Sequence, residues 1–392
     1  MRLERTFHPV GHGAFYTERF YNDNGNNVAN IVFDCGCYEG PGSGKSKPYF
    51  DKQINDIVDT VFPLCEDKTK IAALFISHFH TDHINGIPRL LNNCKVERII
   101  MPKLTDDLLL ELFLYEIIYH QFSAAEAQNS LDSFLNTVKH IKIEVEIDCS
   151  DNDEAVDFEE IEIDKIGVGY LISKPIIINV QSLWKYIPFS TKEKKSQLKQ
   201  ALITGVPELK SALSGTSINI RQIADEFTNK PALKDKCRKV YDSCFGNNQQ
   251  HNRYSMTLFS GTCDVDTTCI QQCHQHVKDL SRYCTKNCLY MGDFEANPKH
   301  SIKNTNCDQL LKFYGKYWKK IGIFQVPHHG SHDNINTDLY SPPKLAIVSA
   351  GKQDVNGHPH MNVINLLQKY NCIPMIVTED IRSIKTFSYR IK

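Results

Sequence analysis

His78-Phe79-His80-Thr81-Asp82-His83 places four candidate metal ligands within six residues. The run before it, Ile71-Ala72-Ala73-Leu74-Phe75-Ile76-Ser77, is short, apolar and bounded by charge, which predicts a buried strand. The ligands therefore fall at a strand's C-terminal end, where α/β folds keep their chemistry. His78 and His80 can face one cation while Asp82 and His83 face a second. Imidazole with carboxylate suits zinc, manganese or iron rather than calcium. A surface loop holding three histidines by chance is the plainer alternative, and the spacing argues against it.

With 392 residues, the chain predicts one large domain with insertions, or two domains. A hydrophobic fraction of 41% is ample for a core. No apolar run reaches the ~18 residues of a membrane span. The opening Met1-Arg2-Leu3-Glu4-Arg5-Thr6 lacks the apolar segment of a secretory leader. The expectation is a cytoplasmic protein without membrane insertion.

Fourteen cysteines without a leader argue against a general disulfide framework. Cys269-x3-Cys273 and Cys284-x3-Cys288 have helical-turn spacing and could face each other across a short helical hairpin, holding a structural zinc. Disulfide pairing and reduced thiols packed as small hydrophobes are the alternatives.

The net charge of -1 offers no overall basic field for nucleic acid, but its distribution is uneven. Residues 141–165 carry eleven acids against two lysines; residues 191–240 carry eleven Lys or Arg against five acids. Such faces are usually solvated helix surfaces, yet the basic block could line a cleft for a polyanion. Residues 105–139 and 192–240 carry helical apolar spacing, and Ile141–Ile147 alternates like a strand with one wet face. Gly40-Pro41-Gly42-Ser43-Gly44-Lys45-Ser46 suggests a phosphate-binding loop. Glu39 stands where that pattern needs Gly, and Pro48 is expected to disfavour a helix opening at the Lys-Ser, so a loop at the site's rim is expected.

The HxHxDH motif resembles the signature of the metallo-β-lactamase fold. Later segments fit the same pattern: Leu289-Tyr290-Met291-Gly292-Asp293, Phe324-Gln325-Val326-Pro327-His328-His329-Gly330-Ser331, Ala346-Ile347-Val348-Ser349-Ala350-Gly351 and Gly357-His358-Pro359-His360. Their order is similar to the hydrolase domain of ComEC-type competence DNA-uptake channels. Val10–Gly13, Ile31–Gly36 and Ile376–Asp380 resemble that domain's opening hairpin and closing strands. The resemblance covers roughly residues 1–105 and 250–392. It implies an αββα four-layer sandwich: 1–105 as the N-terminal half, 106–250 as a mixed insertion, and 251–392 as the C-terminal half with a Cys-rich insertion at 261–288.

The resemblance also implies roles. Asp293 would bridge two divalent cations, zinc first and manganese second, with His78 and His80 on one and Asp82, His83 and His329 on the other. His329 is preferred over His328 as the returning ligand; His328 and Ser331 remain further metal or substrate contacts. No third histidine for the first cation is recognisable, and His120, His140 and His251 are candidates by position alone. His358 or His360 would protonate a leaving oxygen or hold a phosphate. Ala14 and His12 depart from the family's usual Asp and Gln. The implied function is a phosphodiesterase, acting as a nuclease through a metal-activated hydroxide, with Asp82 in the catalytic set. A small-molecule hydrolase of the same fold (phosphoester, thioester or lactone) and an inactive binding protein are the alternatives.

Overall fold

The computed structural model describes residues 1–147, 156–190, 197–215, 217–245, 254–262, 271–273, 286–296, 306–332, 336–342, 344–352 and 354–391. They form two compact units: 1–102, 141–192 and 254–392 in the first, 103–140 and 193–253 in the second. Residues 141–192, read from sequence as part of the insertion, thus fall in the first unit. Among the described residues no helix is long and apolar enough to cross a membrane.

The first unit is an α/β structure built on two large sheets. The nine-stranded sheet takes its centre from Ala73–Phe75, which lies parallel to Asn27–Cys37 on one side and Ile99–Pro102 on the other. Burial on both faces explains why this strand reads as a continuous apolar run. Asn27–Cys37 continues through antiparallel Gly13–Tyr21 and Arg2–Phe7 to Lys385–Arg390. The first and last segments of the chain therefore complete one sheet. In the eight-stranded sheet, Asn287–Tyr290, Ile321–Gln325, Leu345–Ser349 and Ile373–Val377 run parallel in sequence order. Thr257–Gly261 and Trp184–Phe189 extend it antiparallel.

The two sheets pack face to face. Tyr290 stacks on Phe33 at 4.9 Å and on Tyr16 at 5.7 Å, Phe75 on Tyr186 at 5.6 Å, and Trp184 meets the edge of Phe20 at 6.2 Å. Helices cover the outer faces and make four layers. Lys47–Val61 buries Phe50, Ile54 and Val58 at the spacing of one helix face. On the other side, Phe313 of helix Asn306–Trp318 packs on Phe189 at 4.5 Å, and the Tyr314 hydroxyl donates to the Ile187 carbonyl at 3.1 Å.

A polar cluster lies inside this apolar interface. Arg5 Nε donates to Glu18 Oε1 at 2.6 Å, and the other Glu18 bonds come from Tyr186 at 2.5 Å, Tyr290 at 2.8 Å and Ser260 at 2.8 Å. Arg5 also donates to the Lys286 carbonyl at 2.9 Å. The charges are paired and hydrogen-bonded, as burial requires.

The second unit is helical. Thr105 caps Asp106–Ile118 by accepting from Leu108 N, and Ser123 with Glu126 forms a capping box on Ala124–Val138. Leu198–Gly205, Ile220–Asn229 and Leu233–Phe245 accompany them. Phe113 meets Phe227 at 6.3 Å, and Arg238 donates to the Ile118 carbonyl at 2.9 Å.

Two expectations are corrected. Helix Lys47–Val61 does open right after the Gly-rich loop, with Pro48 in its first turn, where proline lacks no needed donor and its φ is already helical. The helical hairpin expected of the cysteines is not met at Cys273 or Cys288. They lie on strands, Gln271–Cys273 paired with Lys385–Arg390 in one sheet and Asn287–Tyr290 in the other. Cys288 is enclosed in the core, and burial pushes its thiol up to about 12, which disfavours the thiolate a zinc needs. Cys269 and Cys284 lie outside the described residues.

Candidate metal centre

Residues from five strands and the loops that follow them converge on one buried cluster. Ala73–Phe75 delivers 78–83, with Thr81–Ile84 forming a single helical turn. Asn27–Cys37 delivers Asp34, Asn287–Tyr290 delivers Asp293, Ile321–Gln325 delivers His328 and His329, and Leu345–Ser349 leads to Asp354 and His358.

Glycines make the approach close enough. A Cβ at Gly13 or Gly36 would collide with the backbone of Asp82, so the ligand turn rests directly on the hairpin. Gly292 has φ +52°, and a Cβ there would strike Ser77. Gln325 holds the same turn: its Oε1 accepts from Met291 N at 2.8 Å and Gly292 N at 2.6 Å, and its Nε2 donates to the Gly292 carbonyl at 2.9 Å. Asp293 N donates to Ser255 Oγ at 3.0 Å. His328 and His329 both sit at positive φ, 50° and 53°, a strained backbone of the kind found at functional sites.

Three sets of ligand atoms converge: His78, His80 and Asp293; Asp82, His83, Asp293 and His329; and His12, Asp354 and His358. Asp293 belongs to two of them. His83 Nε2 lies 3.2 Å from Asp293 Oδ1 and 3.4 Å from Asp82 Oδ2. His329 Nε2 lies 3.0 Å from Asp82 Oδ2, and His78 Nε2 lies 3.6 Å from Asp293 Oδ2.

The far side of each imidazole is tied down. His83 Nδ1 donates to Asp34 Oδ2 at 2.8 Å. Ser77 Oγ donates to the same oxygen at 2.7 Å, and His78 Nδ1, 2.9 Å from Ser77 Oγ, donates into that chain. His329 Nδ1 donates to the Ser349 carbonyl at 2.8 Å. All three rings therefore present Nε2 to the carboxylates, the tautomer that binds a metal. His78 Nε2 is buried with no hydrogen-bond partner among the described residues, and His83 Nε2, equally buried, faces the carboxylates of Asp293 and Asp82. Buried polar atoms are rarely left so, and this donor set fits divalent cations of the zinc or manganese class.

Electrostatics point the same way. Burial pushes the carboxyls of Asp82 and Asp293 up, yet the surrounding histidines, His83 and His329 foremost, hold both well below the usual range. His83 moves up despite burial because Asp82, Asp293 and Asp34 face it, whereas burial and His83 push His78 down. The carboxylates stay ionised and favour positive charge at the site, which a divalent cation would supply in place of the proton on His83.

Other residues named from sequence are placed differently. His328 is half-buried, and desolvation lowers its pKa; its amide donates to the Gly292 carbonyl at 3.2 Å. Ser331 closes the turn by donating its amide to the His328 carbonyl at 2.8 Å. His360 Nδ1 accepts from His332 N at 3.1 Å, and its ring meets that of His358 at 4.9 Å, but it belongs to none of the three sets. His120 pairs with Glu116 at 2.8 Å in the second unit, which also contains His140; His251 lies outside the described residues. Burial first, then His328 and His12, push His358 down to about 2, so it is neutral at ordinary pH, which suits accepting or ligating and not supplying a proton. Sequence reasoning missed Asp34, Gln325 and Asp354. A lone Asp or Gln at the end of an apolar run was the available signal for Asp34 and Gln325, whereas Asp354, in the loop after Leu345–Ser349, carried none.

Asp34→Asn is expected to weaken metal binding by about 10–100-fold, since Asn has one acceptor oxygen where the two of Asp34 take bonds from Ser77 N, Ser77 Oγ and His83 Nδ1. Equilibrium dialysis with zinc measures it; an unchanged affinity would show that Asp34 does not set the tautomers.

No protein-family profile matches the chain. Segments of it are similar to curated proteins. Ribonuclease J of Mycoplasma genitalium is 33% identical over 92 residues, 23% of this chain and 16% of the relative. Ribonuclease J of Mycoplasma pneumoniae is 34% identical over 92 residues, with the same coverage of 23% and 16%. ComE operon protein 3 of Bacillus subtilis is 39% identical over 54 residues, 13% of this chain and 7% of that protein. The similarity to the ribonucleases thus spans 16% of their length, a local likeness shared with proteins whose names denote RNA cleavage.

Proposed function

We propose that this chain is a metal-dependent hydrolase of the metallo-β-lactamase type, acting as a phosphodiesterase on nucleic acid. The observation that carries the reading is the meeting of two ligand sets that share Asp293, with the buried Nε2 atoms of His78 and His83 turned toward its carboxylate. The similarity to ribonuclease J supports the choice of a nucleic-acid phosphodiester over other esters.

His78, His80 and Asp293 would hold one cation, and Asp82, His83, Asp293 and His329 the other. Such a pair supplies Lewis acidity, lowers the pKa of water and neutralises phosphoryl charge. The chain's own residues do the rest. Asp34 and Ser77 fix the ligand tautomers, Gln325 fixes the Gly292–Asp293 turn, and the neutral His358 offers a hydrogen-bonding face beside His328.

Metal analysis with an activity screen tests this reading. We expect about two transition-metal ions per chain at these residues, lost in His78→Ala, together with hydrolysis of bis-p-nitrophenyl phosphate and of single-stranded RNA or DNA. Metal content unchanged in His78→Ala would overturn it.

The salt dependence of binding separates a nuclease from a small-molecule hydrolase. Lys210, Arg221 and Lys239 are exposed on segments of the basic region. If that region contacts polynucleotide, neutralising all three should lower the slope of log affinity against log salt by about 2, at roughly 0.7 per phosphate contact on a single strand. Equal slopes for parent and variant would remove the basic region from the binding surface.

A further inference from the structure

The third set of ligand atoms shares no residue with the two assigned above. His12 lies where the chain leaves the strand Arg2–Phe7 and enters the hairpin, while Asp354 and His358 lie on the loop after Leu345–Ser349. Segments some 340 residues apart in sequence, 342 for His12 and Asp354, thus meet at one point. The side chains of His12, Asp354 and His358 are 10%, 1% and 7% exposed, so water does not solvate the group freely. Asp354 is braced: its Oδ1 accepts from Asn356 N at 2.8 Å and from His358 N at 3.4 Å, which folds the loop so that His358 returns beside it. Its Oδ2 bonds His12 Nδ1. His358 Nδ1 lies 3.8 Å from Asp354 Oδ1, too far to hydrogen-bond, and is buried with no hydrogen-bond partner among the described residues.

We propose that His12, Asp354 and His358 form a third divalent-cation site beside the two-metal pocket. Two imidazoles and one carboxylate are the donors of a zinc or manganese site, and three protein ligands leave a coordination position open. His358 Nδ1 is aimed into the group and lacks the hydrogen bond that a purely structural histidine would have made. The site is coupled to its neighbour: His12 Nε2 lies 3.8 Å from Asp82 Oδ2, and its ring is 3.9 Å from that of His329. His12 thus lies between the third site and a carboxylate of the second, close enough for a charge at one to be felt at the other. If the function proposed above holds, the third charge would be available to a phosphate of the bound strand.

The test is a metal count on the full chain, loaded with zinc and separately with manganese, dialysed and analysed by mass spectrometry. The parent is expected to hold about three ions, His12→Gln and Asp354→Asn each about two, and His78→Ala to keep the ion at the third site. Circular dichroism of every variant checks that it is folded, and two substitutions on opposite sides of the site guard against one that fails to fold. Visible spectra of the cobalt-loaded chain add a second readout: Asp354→Asn should remove one component and leave the others. Equal counts and equal spectra for the parent, His12→Gln and Asp354→Asn would overturn the third site while leaving the two-metal reading untouched. Loss of one ion in Asp354→Asn with no change in His78→Ala would uphold the third site and overturn the pair.

Discussion

Asp293→Asn is expected to reduce phosphodiester hydrolysis by about 1,000-fold or more, roughly 4 kcal/mol of transition-state stabilisation at 1.36 kcal/mol per tenfold. Asp293 contributes to two of the three ligand sets, so one substitution reaches both cations of the proposed pair. Asn keeps the volume and the amide that bonds Ser255 Oγ, but it removes the negative charge opposite His83 and His78. The fold should remain, because the turn is held by Gln325 and Gly292 through backbone atoms. Steady-state kinetics on a chromogenic diester, with metal content and circular dichroism in parallel, measure the effect. Turnover within about tenfold of the parent would place the chemistry at another site.

Glu18→Ala is expected to cost about 3–5 kcal/mol of folding stability, because it leaves the Arg5 guanidinium buried without its counter-charge. Both side chains are almost wholly enclosed between the sheets, and Tyr186, Tyr290 and Ser260 lose their common acceptor at the same time. Replacing Arg5 and Glu18 together with Met and Leu should recover much of the loss, since no unpaired charge would remain. Urea unfolding of the parent, the single and the double variants decides the matter. A single variant as stable as the parent would mean that water reaches the pair and solvates the remaining charge.

Much of the local structure was legible. Helical spacing in 105–139 and 192–240 matches Asp106–Ile118, Ala124–Val138, Leu198–Gly205, Ile220–Asn229 and Leu233–Phe245. The alternation at 141–147 matches Lys142–Val145. These patterns are written within a few residues of where they act. Spacing misled where it lacked its context: Cys269-x3-Cys273 and Cys284-x3-Cys288 suggest helical turns, yet Cys273 and Cys288 lie on strands, where side chains alternate. Pro48 was read as a barrier to a helix because its position relative to the helix start was not visible.

For the candidate site, the sequence by itself determined the ligand-rich turn at 78–83 and the strand that presents it, because short covalent spacing confines those side chains to one end of one element. Only the tertiary structure decided which distant groups complete and orient that turn. Asp34 reaches His83 across 49 positions, His329 reaches Asp82 across 247, and His12 reaches Asp354 across 342. Such partners are chosen by sheet pairing and burial, and a strand's own residues do not specify its neighbours. The parallel order of four strands and the joining of both chain ends in one sheet bring these groups together. The low dielectric between the sheets makes any buried nitrogen or carboxylate that lacks a partner costly, which is why the exceptions gather where a cation would sit.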